Sequence, residues 1–204
     1  MCGIVGYIGE RNAADVILDG LKRLEYRGYD SAGLAVLDGA GLVVRRSLGK
    51  IEKLEARLDR EPAVGTAGLG HTRWATHGRP SEANSHPHAD CTGSLVVVHN
   101  GIIENYSPIK ERLLAGGHQF RSETDTEVIA HLLEDHLRAG LDLRDACRAA
   151  MGELRGAYAV AVVSTAWPDE LVAAKLGAGS VVVGLGRGET YLASDIPAIL
   201  PYTR

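Results

Sequence analysis

The second residue of the chain is a cysteine, Cys2, and it follows an initiator methionine of the kind that is normally trimmed before a small residue. Removal of Met1 would give Cys2 a free α-amine. An α-amine has a reference pKa of about 7.7–8.0, so roughly a third of it is neutral near pH 7.5, whereas a lysine amine stays almost fully protonated. Cys2 could therefore supply both a nucleophilic thiol and the base that activates it. The alternative is that Cys2 is only a small apolar residue at the start of a strand.

A second candidate is the dipeptide Asn100-Gly101 in the block VVVHNGIIEN. Acyl transfer requires hydrogen-bond donors aimed at the developing oxyanion, and this dipeptide offers a side-chain amide and a backbone N–H at the end of a predicted strand. Asn-Gly is also the commonest signal for a tight hairpin turn. The dipeptide is therefore compatible with an oxyanion hole or with a plain turn.

Two charged residues could hold an amino-acid substrate. Arg73, in HTRWATHG, has a planar guanidinium that suits a bidentate contact with a carboxylate, and Trp74, Thr76 and His77 adjoin it in the same polar loop. Asp125, in SETDTE, lies near the start of a predicted helix and could hold an ammonium group. The alternatives are a surface arginine beside an aromatic residue, and a carboxylate that caps the helix.

The histidines and cysteines do not form a recognised metal-binding pattern. Five of the eight histidines fall within residues 66–101, two of them in HPH, but this spacing matches no zinc motif and no nearby acidic residue completes a ligand set. Cys2, Cys91 and Cys147 are widely spaced and form no CxxC pair. The glycine-rich run at 184–189 precedes a strand rather than a helix, which argues against a phosphate-binding loop. We therefore expect no metal site, no disulfide and no cofactor.

Composition excludes other classes of partner. The chain has a formal net charge of -4 and no long run of lysine and arginine, so the basic surface of a nucleic-acid binder is missing. Hydrophobic residues make up 45% of the chain, but no apolar run approaches the ~20 residues needed to cross a bilayer. The first residues also lack the basic and apolar regions of a signal peptide. We expect a cytoplasmic protein that binds neither nucleic acid nor membrane.

These candidate residues need elements that position them, and the apolar periodicity predicts those elements. In the first half we predict a strand at 3–8, a helix at 13–24, a hairpin of strands 32–37 and 41–47, a helix at 51–58 and a strand at 67–71. Residues 72–92 are rich in His, Ser, Asn, Pro and Gly, and this composition predicts a long polar loop. Loops of that length inside a folded domain usually carry functional residues.

The second half of the chain continues with helices and then strands. A strand at 95–99 is expected to end in a turn at Asn100-Gly101, and Thr124 and Glu127 are expected to form a capping box. Three helices are predicted, at 107–115, 124–137 and 143–154. Four β-rich runs follow between 157 and 192, separated at Asp169-Glu170, 177–179 and 186–188. Strands and helices come in runs rather than in regular alternation, which predicts an α+β fold and argues against a parallel doubly wound sheet.

Five sequence blocks occur in an order that resembles the class II glutamine amidotransferases, whose N-terminal cysteine hydrolyses glutamine. The blocks are LEYRGYDSAG, HTRWATHG, HPH, VVVHNGIIEN and SETDTEVIAH, and the resemblance covers practically the whole chain. Within that class they look like the glucosamine-6-phosphate synthase family rather than the amidophosphoribosyltransferases or asparagine synthetases. The resemblance implies the N-terminal-nucleophile hydrolase fold, a four-layer αββα sandwich of two antiparallel sheets between helices.

The resemblance also implies a role for each candidate residue. Cys2 would be the nucleophile and its α-amine the base, with Asn100 and Gly101 as the oxyanion hole. The remaining residues would hold L-glutamine, order the terminus or cover the site: Arg73 with Thr76 and His77 at the substrate carboxylate, Asp125 at its ammonium group, Arg27 beside the nucleophile, and Trp74 with the loop to Ser81 as a lid.

Further partners follow from the same resemblance. The released ammonia would pass to a C-terminal sugar-phosphate isomerase domain of the same chain, which converts fructose 6-phosphate into glucosamine 6-phosphate, and the full-length chain would form a homodimer. Because members of that family are much longer, we expect residues 1–204 to be a glutaminase domain that lacks its last strands and the synthase domains. Two rival hypotheses are an amidotransferase with another ammonia acceptor, and a module that binds glutamine without catalysis. Retention of Met1 would remove the proposed base.

Overall fold

The computed structural model describes residues 2–75, 78–177 and 179–203. Ten strands occur in this part of the chain: β1 (Gly3–Ile8), β2 (Ser31–Asp38), β3 (Gly41–Leu48), β4 (Ala67–Arg73), β5 (His88–Ala89), β6 (Leu95–Ile103), β7 (Gly156–Ser164), β8 (Trp167–Leu176), β9 (Val182–Leu185) and β10 (Thr190–Ala193). Five α-helices accompany them: α1 (Ala13–Arg23), α2 (Ile51–Arg60), α3 (Tyr106–Ala115), α4 (Glu127–Arg138) and α5 (Leu143–Glu153). Glu25–Arg27 and Ile196–Ala198 form short 3-10 helices.

The strands form two antiparallel sheets. The first has six strands in the order β3-β2-β4-β1-β10-β9, and the second has four in the order β5-β6-β7-β8. The N-terminal strand β1 lies inside the first sheet between β4 and β10, with Gly3 opposite Thr72. This pairing brings the end of β4, and therefore Arg73 and Trp74, next to the N-terminus.

Alternation of side chains along the strands separates the layers. In β6, Val96 and Val98 pack into a core that they share with residues of the first sheet, whereas Leu95 and Val97 pack against α3, α4 and α5. Successive side chains of a strand point to opposite faces, so a continuous apolar run identifies a strand that is covered on both sides. Helices α1 and α2 cover the other face of the first sheet. The result is the four-layer αββα sandwich, and the α+β prediction is confirmed.

Most element predictions are confirmed to within a few residues, but two turn predictions are wrong. Asn100-Gly101 lies inside β6, because that strand continues to Ile103 and pairs along its whole length with β7. Asp169-Glu170 lies inside β8, and the chain turns earlier, at 165–166. Pairing with β7 continues through Asn100-Gly101, whereas Asp169-Glu170 lies at an irregularity where the register of β8 against β7 shifts. In both cases tertiary context overrides a local turn preference.

The predicted capping box at the start of α4 is also wrong. The helix begins at Glu127, and the capping position before it makes no side-chain hydrogen bond to the helix. The Thr124 hydroxyl instead contacts the hydroxyl of Ser122 at 2.9 Å. The Glu127 carboxylate accepts the backbone N–H groups of Arg121 and Ser122, each at 2.7 Å. Glu127 therefore fixes the segment before the helix, which contains Asp125.

No helix among the described residues combines the length and apolar character that a membrane-spanning helix requires.

Candidate active site

The thiol of Cys2 lies at the edge of the first sheet, where β1 begins. Its Sγ accepts the backbone N–H of Trp74 at 3.2 Å and lies 3.6 Å from the Trp74 carbonyl oxygen. Burial raises the pKa of this thiol, and the nearby carboxylate of Asp30 adds to the effect, while the Trp74 N–H and the charge of Arg73 oppose it. A thiol with a raised pKa stays protonated near neutral pH, so it needs a base before it can act as a nucleophile.

The backbone carbonyl of Cys2 is held from two sides. The Nε of Arg27 donates to this carbonyl oxygen at 3.2 Å, and the Nδ2 of Asn100 donates to it at 3.0 Å. Arg27 is itself fixed by an ion pair of 2.9 Å between its Nη1 and the Oδ2 of Asp195, which also accepts the hydroxyl of Tyr26 at 2.6 Å. The Tyr26 hydroxyl and the Arg27 charge lower the pKa of Asp195 and keep its carboxylate ionised. Cys2, which leads into β1 of the first sheet, is thus also hydrogen-bonded to β6 of the second sheet.

His71 orients the amide of Asn100. The Nε2 of His71 lies 3.0 Å from the Asn100 Oδ1 and 3.0 Å from the carbonyl oxygen of His99. Both partners are acceptors, so the proton of this imidazole belongs on Nε2 and the Asn100 Nδ2 must face Cys2. Burial lowers the pKa of His71 to about 3, which keeps the ring neutral. His71 is therefore a positioning residue for the predicted oxyanion hole, and the sequence analysis did not assign it this role.

Gly101 occupies a position that only glycine can fill. Its φ angle is +127°, and an added Cβ would lie 2.2 Å from the carbonyl oxygen of Ala157 on β7. The backbone of Gly101 can therefore lie close to its neighbours and still line the space in front of Cys2. The glycine of the Asn-Gly pair thus serves a close backbone approach rather than a turn.

A cavity of about 340 Å³ opens beside the thiol, and its walls combine apolar surface with both signs of charge. It is lined by Cys2, Arg27, Arg73, Trp74, His86, His99, Asn100, Gly101, Ile102, Thr124, Asp125, Thr126, Ala157, Gly179 and Ser180. Arg73 is buried, and its Nη2 donates to the carbonyl oxygen of Gly78 at 3.0 Å. Asp125 is buried as well, and its Oδ2 accepts the backbone N–H of Ile103 at 2.8 Å. A fixed cation and a fixed anion that line the same cavity complement a zwitterionic amino acid.

Trp74 lies at the mouth of the cavity with 48% of its surface exposed. Its ring meets the edge of Tyr29 with the ring centroids 5.3 Å apart. An exposed aromatic residue that directly follows the strand holding Arg73 is well placed to cover a ligand. Thr76 and His77, which were predicted to assist Arg73 at the substrate carboxylate, lie outside the described residues.

The histidines of HPH and VVVHNG form one wall of hydrogen-bonded rings behind the cavity. The Nε2 of His86 and the Nδ1 of His99 contact the hydroxyl of Thr126 at 3.0 and 2.9 Å, and the Nε2 of His88 lies 3.2 Å from the hydroxyl of Thr124. Burial lowers the pKa of His88 to about 3 and lowers that of His86 well below its ordinary value. The rings of His86 and His88 are therefore neutral, and they connect the polar loop to the segment that holds Asp125.

Seven of the nine predicted site residues thus line one cavity, although they come from the N-terminus and from four separate sequence blocks. The other two are Thr76 and His77. Three further residues were not predicted from the sequence: His71 fixes Asn100, Asp30 accepts the backbone N–H of Ala75, and Asp195 fixes Arg27. His71 lies within HTRWATHG, so its block was already singled out, whereas no local signal marked Asp195.

Comparison with known proteins assigns the class. The glutamine amidotransferase domain family matches residues 71–201. The chain therefore belongs to the glutamine amidotransferase domain family, and its fold is that of the class II, N-terminal-nucleophile members. Among similar proteins are the glutamine–fructose-6-phosphate aminotransferases (isomerizing) of Thermus thermophilus and Pyrococcus horikoshii, 57% and 53% identical over 204 residues. The match covers 100% of this chain but 33–34% of those proteins, so the chain spans about a third of the length of the curated relatives it matches.

Solved structures agree with this class. The glutamine phosphoribosylpyrophosphate amidotransferase from B. subtilis, complexed with ADP and GMP, superposes with a TM-score of 0.85 at 28% identity over 99% of this chain and 44% of that one. A structure described as the allosteric regulatory enzyme of purine biosynthesis gives a TM-score of 0.86 at 27% identity, with the same coverage of both chains. The predicted N-terminal-nucleophile fold is confirmed.

Proposed function

We propose that Cys2, once Met1 has been removed, hydrolyses the side-chain amide of L-glutamine through a thioester. The observation that carries the proposal is the single cavity beside the Cys2 thiol, which is also lined by the amide of Asn100 and by the opposite charges of Arg73 and Asp125. The raised pKa of the thiol supports a mechanism in which a separate base removes its proton. The α-amine of Cys2 itself is that base, because its reference pKa of about 7.7–8.0 leaves much of it neutral near pH 7.5.

The first half of the reaction forms the thioester. The α-amine takes the thiol proton, and the sulfur attacks the amide carbon of glutamine as the C–S bond forms. The oxygen of that amide becomes an oxyanion, which accepts hydrogen bonds from the Asn100 Nδ2 and the Gly101 backbone N–H. The protonated α-amine then gives its proton to the amide nitrogen, the C–N bond breaks and ammonia leaves.

The second half releases glutamate. Water attacks the thioester carbon, the same α-amine accepts a proton from that water, and the same donors hold the second oxyanion. Cleavage of the C–S bond returns the proton to sulfur and frees the new carboxyl group. One residue therefore supplies nucleophile, base and acid.

Arg73 and Asp125 give the site its preference for an α-amino acid. The guanidinium of Arg73 would pair with the substrate α-carboxylate and the carboxylate of Asp125 with the α-ammonium. Thr76 and His77 would assist Arg73, and Trp74 with the loop to Ser81 would cover the bound substrate and exclude water.

The ammonia acceptor is proposed from the relatives. Their name supports fructose 6-phosphate as acceptor, and their length supports a longer chain of which residues 1–204 are a glutaminase part. We further propose that a C-terminal sugar-phosphate isomerase domain of a homodimeric full-length chain makes glucosamine 6-phosphate. A longer natural form of the protein should then transfer amide-labelled nitrogen from glutamine to the hexose phosphate. Release of labelled ammonia alone would contradict this acceptor and leave the glutaminase proposal standing.

Mass spectrometry of covalent labelling tests the site directly. An electrophilic glutamine analogue should add one label to the processed chain, on Cys2, and L-glutamine should protect against it. An analogue without the α-amine should label at least about tenfold more slowly, because it leaves the charge of Asp125 unpaired. Equal labelling of Cys91, or no protection by L-glutamine, would contradict the proposal. Protection by glutamine without any release of glutamate would identify a binding module instead of an enzyme.

A further inference from the structure

A second polar cluster lies away from the residues that line the active-site cavity, and the proposed mechanism does not use it. Four potential metal-ligand atoms lie within 4.8 Å of one another: the Sγ of Cys91, the Nδ1 of His118, the Nδ1 of His131 and the Oε2 of Glu134. We call these residues the four-ligand cluster. They come from the turn between β5 and β6, from the segment after α3, and from two positions three residues apart on α4. The two imidazoles and the carboxylate are buried.

Five of the six distances between ligand atoms of the four-ligand cluster are close to those of a tetrahedral zinc site. The Cys91 sulfur lies 3.6 Å from each of the two Nδ1 atoms, and those two nitrogens are 3.2 Å apart. The Glu134 Oε2 lies 3.1 Å from the Nδ1 of His118 and 3.2 Å from that of His131. Tetrahedral bonds of about 2.3 Å to sulfur and 2.0–2.1 Å to nitrogen and oxygen put such ligand atoms about 3.3–3.6 Å apart. All five distances agree with that geometry to within about 0.2 Å.

The far side of the His118 ring is hydrogen-bonded to a carboxylate, and the far side of the His131 ring faces one without a hydrogen bond. The Nε2 of His118 lies 2.8 Å from the Oδ1 of Asp135, and the Nε2 of His131 lies 3.6 Å from the Oε1 of Glu127. Protons on these Nε2 atoms leave the lone pairs of both Nδ1 atoms directed at the centre of the cluster. A carboxylate behind a histidine is the usual arrangement around zinc, where it fixes the ring tautomer.

The sulfur and the carboxylate are oriented in the same way. The backbone N–H of Gln119 donates to the Cys91 Sγ at 3.4 Å, and the N–H of Cys91 donates to the Glu134 Oε2 at 3.1 Å. The other oxygen of Glu134 pairs with Arg138. Four electron-rich atoms thus converge from three segments, and such convergence in a buried place requires a shared cation or shared protons.

We propose that the four-ligand cluster binds one structural Zn²⁺ ion. Thiolate and imidazole ligands in a tetrahedron select zinc over magnesium or calcium, which prefer oxygen ligands at higher coordination number. Four protein ligands close the coordination sphere, which is typical of a structural rather than a catalytic site. Because Glu127 also accepts the N–H groups of Arg121 and Ser122, the ion would anchor the segment that leads to Asp125.

Metal content is the first test. The 204-residue chain, purified with any affinity tag removed and dialysed against metal-free buffer, should hold close to one zinc per chain by plasma mass spectrometry. Cys91→Ser and His118→Gln should each reduce that content at least tenfold. Two matched controls should keep the zinc. One is His136→Gln, on the same helix as His131 but paired with Glu153, and the other is Cys147→Ala, a buried cysteine on α5. Asp135→Asn should weaken zinc affinity about tenfold while leaving all four ligands in place.

Cobalt substitution tests the ligands themselves and does not depend on activity. The cobalt-loaded chain should show a thiolate-to-metal charge-transfer band and the visible spectrum of a tetrahedral site, and Cys2→Ala should retain both. If the ligand variants fail to fold, the content and spectrum of the unsubstituted chain still decide the question. Less than a tenth of a zinc per chain after incubation with excess zinc, together with no charge-transfer band, would overturn the proposal in favour of a proton-sharing cluster. One iron or copper per chain would overturn the choice of zinc.

Discussion

Cys2 and Cys91 begin from similar local surroundings and differ in what lies opposite the sulfur. Each Sγ accepts one backbone N–H from a distant segment, from Trp74 at 3.2 Å and from Gln119 at 3.4 Å. Cys2 faces a cavity of about 340 Å³ that is also lined by Asn100, whose amide donates to the Cys2 carbonyl oxygen. Cys91 faces two imidazole nitrogens and a carboxylate oxygen.

The groups around each thiol therefore decide its chemistry more than the cysteine itself does. Donors and open space suit an attack on a carbonyl carbon, because the donors stabilise the charge that develops on oxygen. Lone pairs that converge on one point, without an open cavity beside them, suit a metal ion. The same residue type is therefore suited to two different functions in two parts of the molecule.

The largest expected effect separates the two cysteines. Cys2→Ala should lower kcat/KM for glutamine by at least about 10⁴-fold, since loss of a nucleophile leaves only binding and oxyanion stabilisation. It should keep its zinc, whereas Cys91→Ser should lose it. Rates of glutamate release and metal contents, measured on the same samples, check both statements. Cys147→Ala is the control for removing a buried thiol and should keep both properties. Substantial glutamate release by Cys2→Ala would end the nucleophile assignment.

The donors around Cys2 give the next effect. Asn100→Ala should lower kcat by about 10²–10³-fold, because the oxyanion loses its side-chain donor. The KM for glutamine should change much less. Asn105→Ala is a matched control, since that amide bonds only with backbone at the start of β7 and with Glu153. Steady-state kinetics of both variants decide the matter, and an equal loss of kcat in the two would argue that the Asn100 effect is structural.

Substrate binding gives a smaller effect. Arg73→Lys should raise the KM for glutamine about tenfold with a smaller change in kcat, since the charge is kept but the planar fork is lost. Arg60→Lys, on an exposed arginine at the end of α2, should leave the KM near that of the unsubstituted chain. A KM unchanged by Arg73→Lys would make that residue a bystander.

The smallest expected effect is on the pH dependence of the free energy of unfolding, which distinguishes the histidines beside the active-site cavity from those of the four-ligand cluster. The folded chain holds the pKa of His88 at about 3, through burial and then the charge of Arg46, with Glu127 opposing. Between that value and the unfolded pKa of about 6.5, only the unfolded state gains the proton, so the free energy of unfolding falls as pH falls. His88→Gln should flatten this slope by about 1.4 kcal/mol per pH unit.

Denaturant unfolding between pH 6.5 and 5 measures that slope, in a range where few carboxylates titrate. His88→Gln should also keep its zinc, because His88 contacts the Thr124 hydroxyl and not the four-ligand cluster. An unchanged slope would mean that His88 titrates alike in both states. Loss of zinc by this variant would mean that the two histidine regions are not independent.

Much of the fold follows from short-range patterns. Alternating or continuous apolar runs predicted β1, β6 and β7, because each of these strands is covered on at least one face by a core layer. The Asn-Gly pair was misread as a turn because the residues that keep it in a strand, those of β7, lie more than 50 positions further along the chain. Local preference contains no information about such a partner.

Some site residues could likewise be predicted from local sequence, and others could not. Cys2, Arg73 and Asn100 stood out because each has chemistry in its own side chain and lies in a distinctive block. Asp195 acts only through Arg27, at a separation of 168 residues, and nothing beside it marks that role. The four-ligand cluster was missed, and no metal site was expected, because its ligands span residues 91–134 with no short spacing except the pair on α4.

The central claim is that Cys2 uses its own α-amine as the base, and one comparison tests it directly. Chain that retains Met1, obtained from cells with methionine aminopeptidase inhibited, and fully processed chain are each verified by intact mass and assayed for ammonia release from glutamine. We predict activity only in the processed chain, with a rate that rises through a pKa near the α-amine reference of about 7.7–8.0, or lower because Arg27 is close. Equal rates from the two samples would contradict the claim and assign the base to a side chain.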